Sequence, residues 1–158
     1  MEIVAYHESG HAFMAAYLGG TVRSVTIDPD WDDGPRRTAD TQVVWRRGRF
    51  SQRELNERLV LVALAGPVAE MIYTGDPFHP AMVAEWAGDW KDAVEAARLF
   101  HPNPRQCIAW LEGVTVDLYR QLKSDPMWNA LAALADELLA HETLGPEEIA
   151  EVLEIWLP

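Results

Sequence analysis

The chain has 158 residues, 49% of them hydrophobic, and this size and composition predict a single globular domain over residues 1–158. Its 25 acidic and 13 basic residues give a net charge of −12, which argues against nucleic acid or an anionic membrane surface as a partner. The single cysteine, Cys107, excludes a disulfide framework and a thiolate zinc cluster and is typical of a reducing cytosol.

The first predicted element is a helix over residues 4–18, which carries the segment His-Glu-Ser-Gly-His at positions 7–11. Apolar residues surround this segment, so the helix is expected to be largely buried, and Gly19-Gly20 supplies its C-terminal stop. Residues four apart share one helix face, so the imidazoles of His7 and His11 can converge on one metal ion. Glu8 points beside that ion, where a general base would meet an attacking water.

Two histidines are too few for a catalytic zinc site, which uses three protein ligands and keeps one position open. Spacing alone does not choose the third ligand. Glu70 is conspicuous as a carboxylate in an apolar helix, either as a ligand or as an acceptor that orients His7 or His11. The other candidates are Asp89, Asp92, Glu95, His79, His101 and His141.

Two β-rich segments, residues 21–28 and 41–46, follow the first helix and predict a small antiparallel sheet around an Asp-, Pro- and Gly-rich loop. A second long helix is predicted to begin after Ser51, with Glu54 completing a capping box, and to end near Gly75. Its apolar stretch at residues 59–73 is too short to span a bilayer.

The rest of the chain is predicted to be helical. A third helix is expected over residues 82–100, and further helices from residue 105 onward, with breaks at residues 124–126 and 143–146. The fold class is therefore mainly α (α+β): a metal-motif helix, a small antiparallel sheet and then a helical bundle. The first residues show no signal-peptide pattern, and we expect a cytoplasmic protein without a membrane segment in this chain.

Five segments of the chain are, in order, VAYHESGHAFMAAYL, VTIDP, RLVLVALAGPVAEMIYTGD, AGDWKDAVEAARLF and ALADELLAHETLGPEEIAEVL. Together they resemble the peptidase domain of the FtsH family of ATP-dependent zinc metalloproteases. They occur in the family's order over most of the chain, and the ordered set is more specific than the first motif alone.

The resemblance implies roles for the matched positions. His7 and His11 match the zinc histidines, Glu8 the catalytic glutamate, and Asp92 the aspartate that is the third zinc ligand in the family. Asp89 matches a position that is not a ligand there. Glu70 matches a glutamate close to the site, which favours a role in orienting a histidine.

The chain also departs from the family. It contains no glycine-rich nucleotide-binding loop and no membrane anchor, so it cannot unfold substrates with ATP by itself. We therefore expect a zinc metalloendopeptidase that hydrolyses unfolded or short polypeptides without ATP, with an edge strand near residues 43–45 aligning an extended substrate. The alternative is a non-proteolytic FtsH-peptidase-like interaction domain that works with a separate ATPase or partner protein. A homo-oligomer is a further alternative to the ATPase partner.

Overall fold

The computed structural model describes residues 1–27 and 40–157. Within them lie six helices and three strands: α1 (Glu2–Tyr17), β1 (Thr21–Thr26), β2 (Asp40–Val44), α2 (Gln52–Thr74), α3 (Ala87–Ala97), α4 (Pro104–Lys123), α5 (Asp125–His141), β3 (Thr143–Leu144) and α6 (Pro146–Trp156). The predicted fold class is confirmed. None of the helices in these two ranges combines the length and apolar character needed to cross a bilayer.

The sheet has the order β2-β1-β3, and both pairings are antiparallel. Val25 of β1 pairs with Thr41 on one side and with Leu144 on the other. The short strand β3 lies where the sequence predicted only a chain break, because two residues are too few to show an alternating pattern. The predicted loop between the first two strands falls on residues 28–39, which lie outside the described residues.

Helix α1 is the central element and packs against α2, α5 and the sheet. Its crossing with α2 is unusually close at Gly10, where a Cβ atom would lie 2.4 Å from the carbonyl oxygen of Ala65. Only a residue without a side chain fits against that backbone. The crossing therefore holds the face of α1 that carries His7 and His11 directly against α2.

The ends of α2 follow the predicted signals. The Ser51 hydroxyl accepts a hydrogen bond from the Glu54 N–H, the Glu54 carboxylate accepts one from the Ser51 N–H, and both distances are 3.1 Å. Gly75 ends the helix in the left-handed conformation, with φ of 78°. The third helix was predicted to begin at Met82 but begins at Ala87, because Val83 is extended and separates two short 3-10 turns, Pro80–Met82 and Ala84–Trp86.

Candidate metal centre

Three side chains from two helices converge beside α2. His7 and His11 lie one turn apart on α1, with their Nε2 atoms 3.0 Å from each other. Asp89, in the first turn of α3, places Oδ2 2.9 Å from His7 Nε2 and Oδ1 3.3 Å from His11 Nε2. One ligand atom from each residue can be chosen so that all three lie within 4.8 Å of one another.

Helix α2 contacts the Nδ1 atom of each imidazole, the ring nitrogen that does not face Asp89. Glu70 Oε1 lies 2.9 Å from His7 Nδ1, and His11 Nδ1 lies 2.7 Å from the main-chain carbonyl oxygen of Val62. The Val62 carbonyl can only accept, so His11 Nδ1 donates this bond and the tautomer of a neutral His11 is fixed. Both histidines therefore turn Nε2 toward Asp89, and a metal ion bound there would meet the nitrogens that α2 leaves available.

Gly66 of α2 makes room for His11. A Cβ atom at Gly66 would lie 2.3 Å from His11 Nε2 and 2.5 Å from its Cε1. Any larger residue at this position would displace the imidazole. The glycine in the apolar segment of α2 is thus part of the site, although it carries no chemical group.

Glu8 is buried, with 6% of its surface exposed, yet it lines an open cavity together with His11 and Asp89. Its carboxylate is held from the sheet, because Thr41 Oγ1 donates a hydrogen bond of 2.5 Å to Glu8 Oε2. The cavity has a volume of about 650 Å³, within the range of ligand-binding clefts. Glu8 is therefore fixed in orientation at the wall of a space large enough for part of a peptide.

The structure brings Asp89, rather than Asp92, to the two histidines. Asp92 is exposed and lines the same cavity one turn further along α3, and it is not a member of the three-residue group. Its assignment as a ligand stays a prediction that the family resemblance made. The remaining candidates lie elsewhere: Glu95 on the cavity wall, His79 beside Glu112, His101 against Phe100 and Trp110, and His141 beside Glu137.

The contacts of Asp89 dominate the electrostatics of the group. Burial alone would lower the pKa of His11, but the hydrogen bond and charge of Asp89, helped by Glu8 and the Val62 carbonyl, raise that pKa to about 9. Burial opposes ionisation of Asp89 as well, yet its bonds to His11 and His7 hold its pKa well below the usual range. The pKa of Asp92 is raised by partial burial and by the carboxylates of Asp89 and Glu95.

These residues fit zinc by both chemistry and spacing. Two imidazoles and one carboxylate form a known catalytic ligand set, which leaves a coordination position open. Two nitrogens that bind one zinc at 2.0–2.1 Å in tetrahedral geometry stand about 3.3 Å apart. The 3.0 Å between the Nε2 atoms needs only a small adjustment to reach that separation.

Zinc binding should strengthen as pH rises from about 6.5 to 8.5. His11 has a pKa of about 9 in the metal-free protein, so it is protonated in this range and zinc must displace that proton. One displaced proton corresponds to about a tenfold gain in affinity per pH unit, with a plateau above about pH 9. Competition with a chelating dye, corrected for the titration of the dye, measures the slope. An affinity independent of pH would contradict the protonated state of His11.

Two supporting groups had no signal in the sequence. Thr41 lies 33 residues from Glu8 along the chain, and the Val62 carbonyl belongs to a backbone that any residue would provide. Both become visible only once β2 and α2 have packed against α1.

Comparison with protein-family models and with curated proteins finds no match for this chain.

Proposed function

We propose that this protein is a zinc-dependent metalloendopeptidase that hydrolyses unfolded or short polypeptides without ATP. The observation that carries the proposal is the convergence of His7, His11 and Asp89 beside a cavity that His11, Asp89 and Glu8 line. A structural zinc site is normally closed by four protein ligands. Three ligands beside an open cavity and a carboxylate are instead the arrangement that hydrolysis requires.

The proposed roles follow from the contacts. His7, His11 and Asp89 would hold the ion, with Glu70 orienting His7 and the Val62 carbonyl orienting His11. When bound, zinc supplies Lewis acidity toward the scissile carbonyl and lowers the pKa of water in the site. Glu8 takes a proton from the attacking water and later transfers it to the leaving amine, while Thr41 keeps its carboxylate in place.

The sheet offers a way to align the substrate. In the described part of the sheet, β2 is an outer strand, and its residues Thr41 and Val43 line the cavity. An extended peptide can add to such an edge through main-chain hydrogen bonds, which hold its scissile bond regardless of side-chain identity. This mode of binding requires an unfolded segment and therefore favours flexible substrates.

The resemblance to FtsH peptidase domains supports the same proposal and adds its setting. We place the protein in the cytoplasm, where it acts on peptides alone or beside a separate ATPase that unfolds larger substrates. If it instead serves as a non-proteolytic interaction domain, it should bind such a partner without cleaving any polypeptide.

The proposal is tested by comparing the cleavage of one substrate protein in its native and its unfolded state. A disulfide-bonded ribonuclease should resist cleavage in its native form and be cleaved after reduction and carboxymethylation, in the absence of ATP. A strong chelator should stop the cleavage and added zinc should restore it. The Glu8→Gln variant, purified in parallel, controls for contaminating proteases. Equal cleavage of both states, or cleavage of neither, would overturn the proposal.

A further inference from the structure

The cavity at the candidate site extends well beyond the histidines, as a trough bounded by α2, α3 and β2. At one end Glu70 and Asp89 both contact His7, and at the other end the Arg53 guanidinium lies 5.5 Å from the centre of the Phe100 ring. The two helices therefore run in opposite directions beside the cavity. From Gly66, next to His11, to Asn56 is ten residues, or about 15 Å of helix.

Asn56 lies at the far end of this trough and has an unused hydrogen-bond donor. The residue lines the cavity and is only 4% exposed. Its Oδ1 accepts a hydrogen bond of 3.2 Å from Gln52 Nε2, which sets the orientation of the amide. Its Nδ2 has no partner among the described residues. Buried donors are normally satisfied. Because Nδ2 itself is shielded from solvent, the amide would turn slightly into the cavity to donate to an acceptor on a bound molecule, such as a peptide carbonyl.

The walls of the trough are acidic. Among the described residues that line it, none is lysine or arginine, whereas five are carboxylates: Glu8, Asp40, Asp89, Asp92 and Glu95. Glu95 lies on the wall with 59% of its side chain exposed, and its Lys91 partner is 4.0 Å away. Such an exposed pair contributes little and yields readily to another cation. A cleft lined by charges of one sign attracts ligands of the opposite charge.

We propose that the trough binds an extended polypeptide with a lysine or arginine about three residues from the cleaved bond, and that Glu95 recognises this side chain. Glu95 lies six residues beyond Asp89, about 9 Å along α3, which is the span of about three extended residues. Asn56 then donates to a main-chain carbonyl about one residue further out. This substrate preference rests on the proposed peptidase function.

The charge test uses two quenched fluorogenic peptides that differ only in arginine or glutamate at this position. We expect kcat/KM of the parent protein to favour the arginine peptide by about tenfold, and less at high salt. Glu95→Lys should bring the ratio to about one or below. Asp117→Lys, on an exposed site of α4 outside the cavity, is the matched control and should keep the parent ratio. A Glu95→Lys ratio equal to that of the parent overturns the proposal.

The Asn56 contact is tested by peptide length. Asn56→Leu removes the donor and keeps a similar volume, so it should lower kcat/KM several-fold for peptides that extend about five residues from the cleaved bond. Shorter peptides, which end before Asn56, should be cleaved at the parent rate. A general loss of stability would affect both lengths equally, so an unchanged long-to-short ratio overturns this part of the proposal.

Binding separates failure of this inference from failure of the proposed function. If the parent protein cleaves neither peptide, the peptidase function is wrong, and fluorescence anisotropy with labelled arginine and glutamate peptides then decides the inference. Tighter binding of the arginine peptide that Glu95→Lys abolishes supports the trough as a site for basic polypeptides. Equal binding of the two peptides overturns it.

Discussion

Glu8→Gln should keep one zinc per chain and lower turnover by about 10²–10⁴-fold, the usual effect of removing a general acid–base group. Glutamine has the shape of glutamate, and its amide oxygen can accept the hydrogen bond that Thr41 now donates to Glu8 Oε2. The fold and the ion should therefore survive while proton transfer is lost. Zinc content by mass spectrometry and turnover of a fluorogenic peptide measure the two effects separately.

The matched control is Glu151→Gln, an exposed residue on α6 away from the cavity, which should keep both zinc and turnover. Loss of the metal in Glu8→Gln would show that Glu8 is a ligand. If Glu8→Gln keeps the parent's turnover and zinc content, the general base is another group, and the proposed role of Glu8 is wrong.

Asp89→Asn should weaken zinc binding by more than about 100-fold, because a direct ligand matters more than a group that only orients an imidazole. Asp89 is the carboxylate that contacts both Nε2 atoms, at 2.9 and 3.3 Å. Glu70→Gln perturbs only the Nδ1 side of His7 and should lower zinc affinity by about 10–100-fold. Asp92→Asn should lower zinc affinity less than either of these two substitutions. Competition with a chelating dye at constant pH ranks the three variants.

The ranking also tests the family resemblance residue by residue. If Asp92→Asn loses zinc and Asp89→Asn keeps it, Asp92 is the third ligand and the Asp89 contacts belong to the metal-free arrangement alone. Thermal unfolding of the metal-free variants serves as the control, because Asp89→Asn also removes the ion pair with His11. A variant that unfolds at the assay temperature cannot be ranked by zinc binding, so affinity is measured well below its Tm.

Local signals in the sequence predicted most of the helices. The capping box of Ser51 and Glu54 and the left-handed Gly75 mark the ends of α2, since each signal depends only on neighbouring residues. The histidine pair was equally local, because a spacing of four fixes one helix face. What could be predicted is thus what a few consecutive residues determine.

The choice between Asp89 and Asp92 depends instead on how α3 is rotated about its axis. The two residues are three apart and adjoin each other on that helix, so spacing cannot separate them. In the structure, Ala93 and Ala97 are fully buried and continue the helix face that carries Asp89. Asp92 is instead followed on its own face by Glu95 and Leu99, which are exposed. Packing of the two alanines turns Asp89 toward the histidines, and that packing involves helices distant in sequence.

The close crossing at Gly10 limits how the His-Glu-Ser-Gly-His segment can be transplanted by design. Ser9 and Gly10, which lie between Glu8 and His11 and carry no ligand, are both buried, and Gly10 tolerates no side chain against Ala65. A designer who copied the five residues onto a surface helix would carry over the imidazoles but leave behind Gly66, the Val62 carbonyl and Glu70, which orient them. The smallest transferable unit is therefore the crossed pair of helices, and sequence libraries for it should keep residue 10 as glycine.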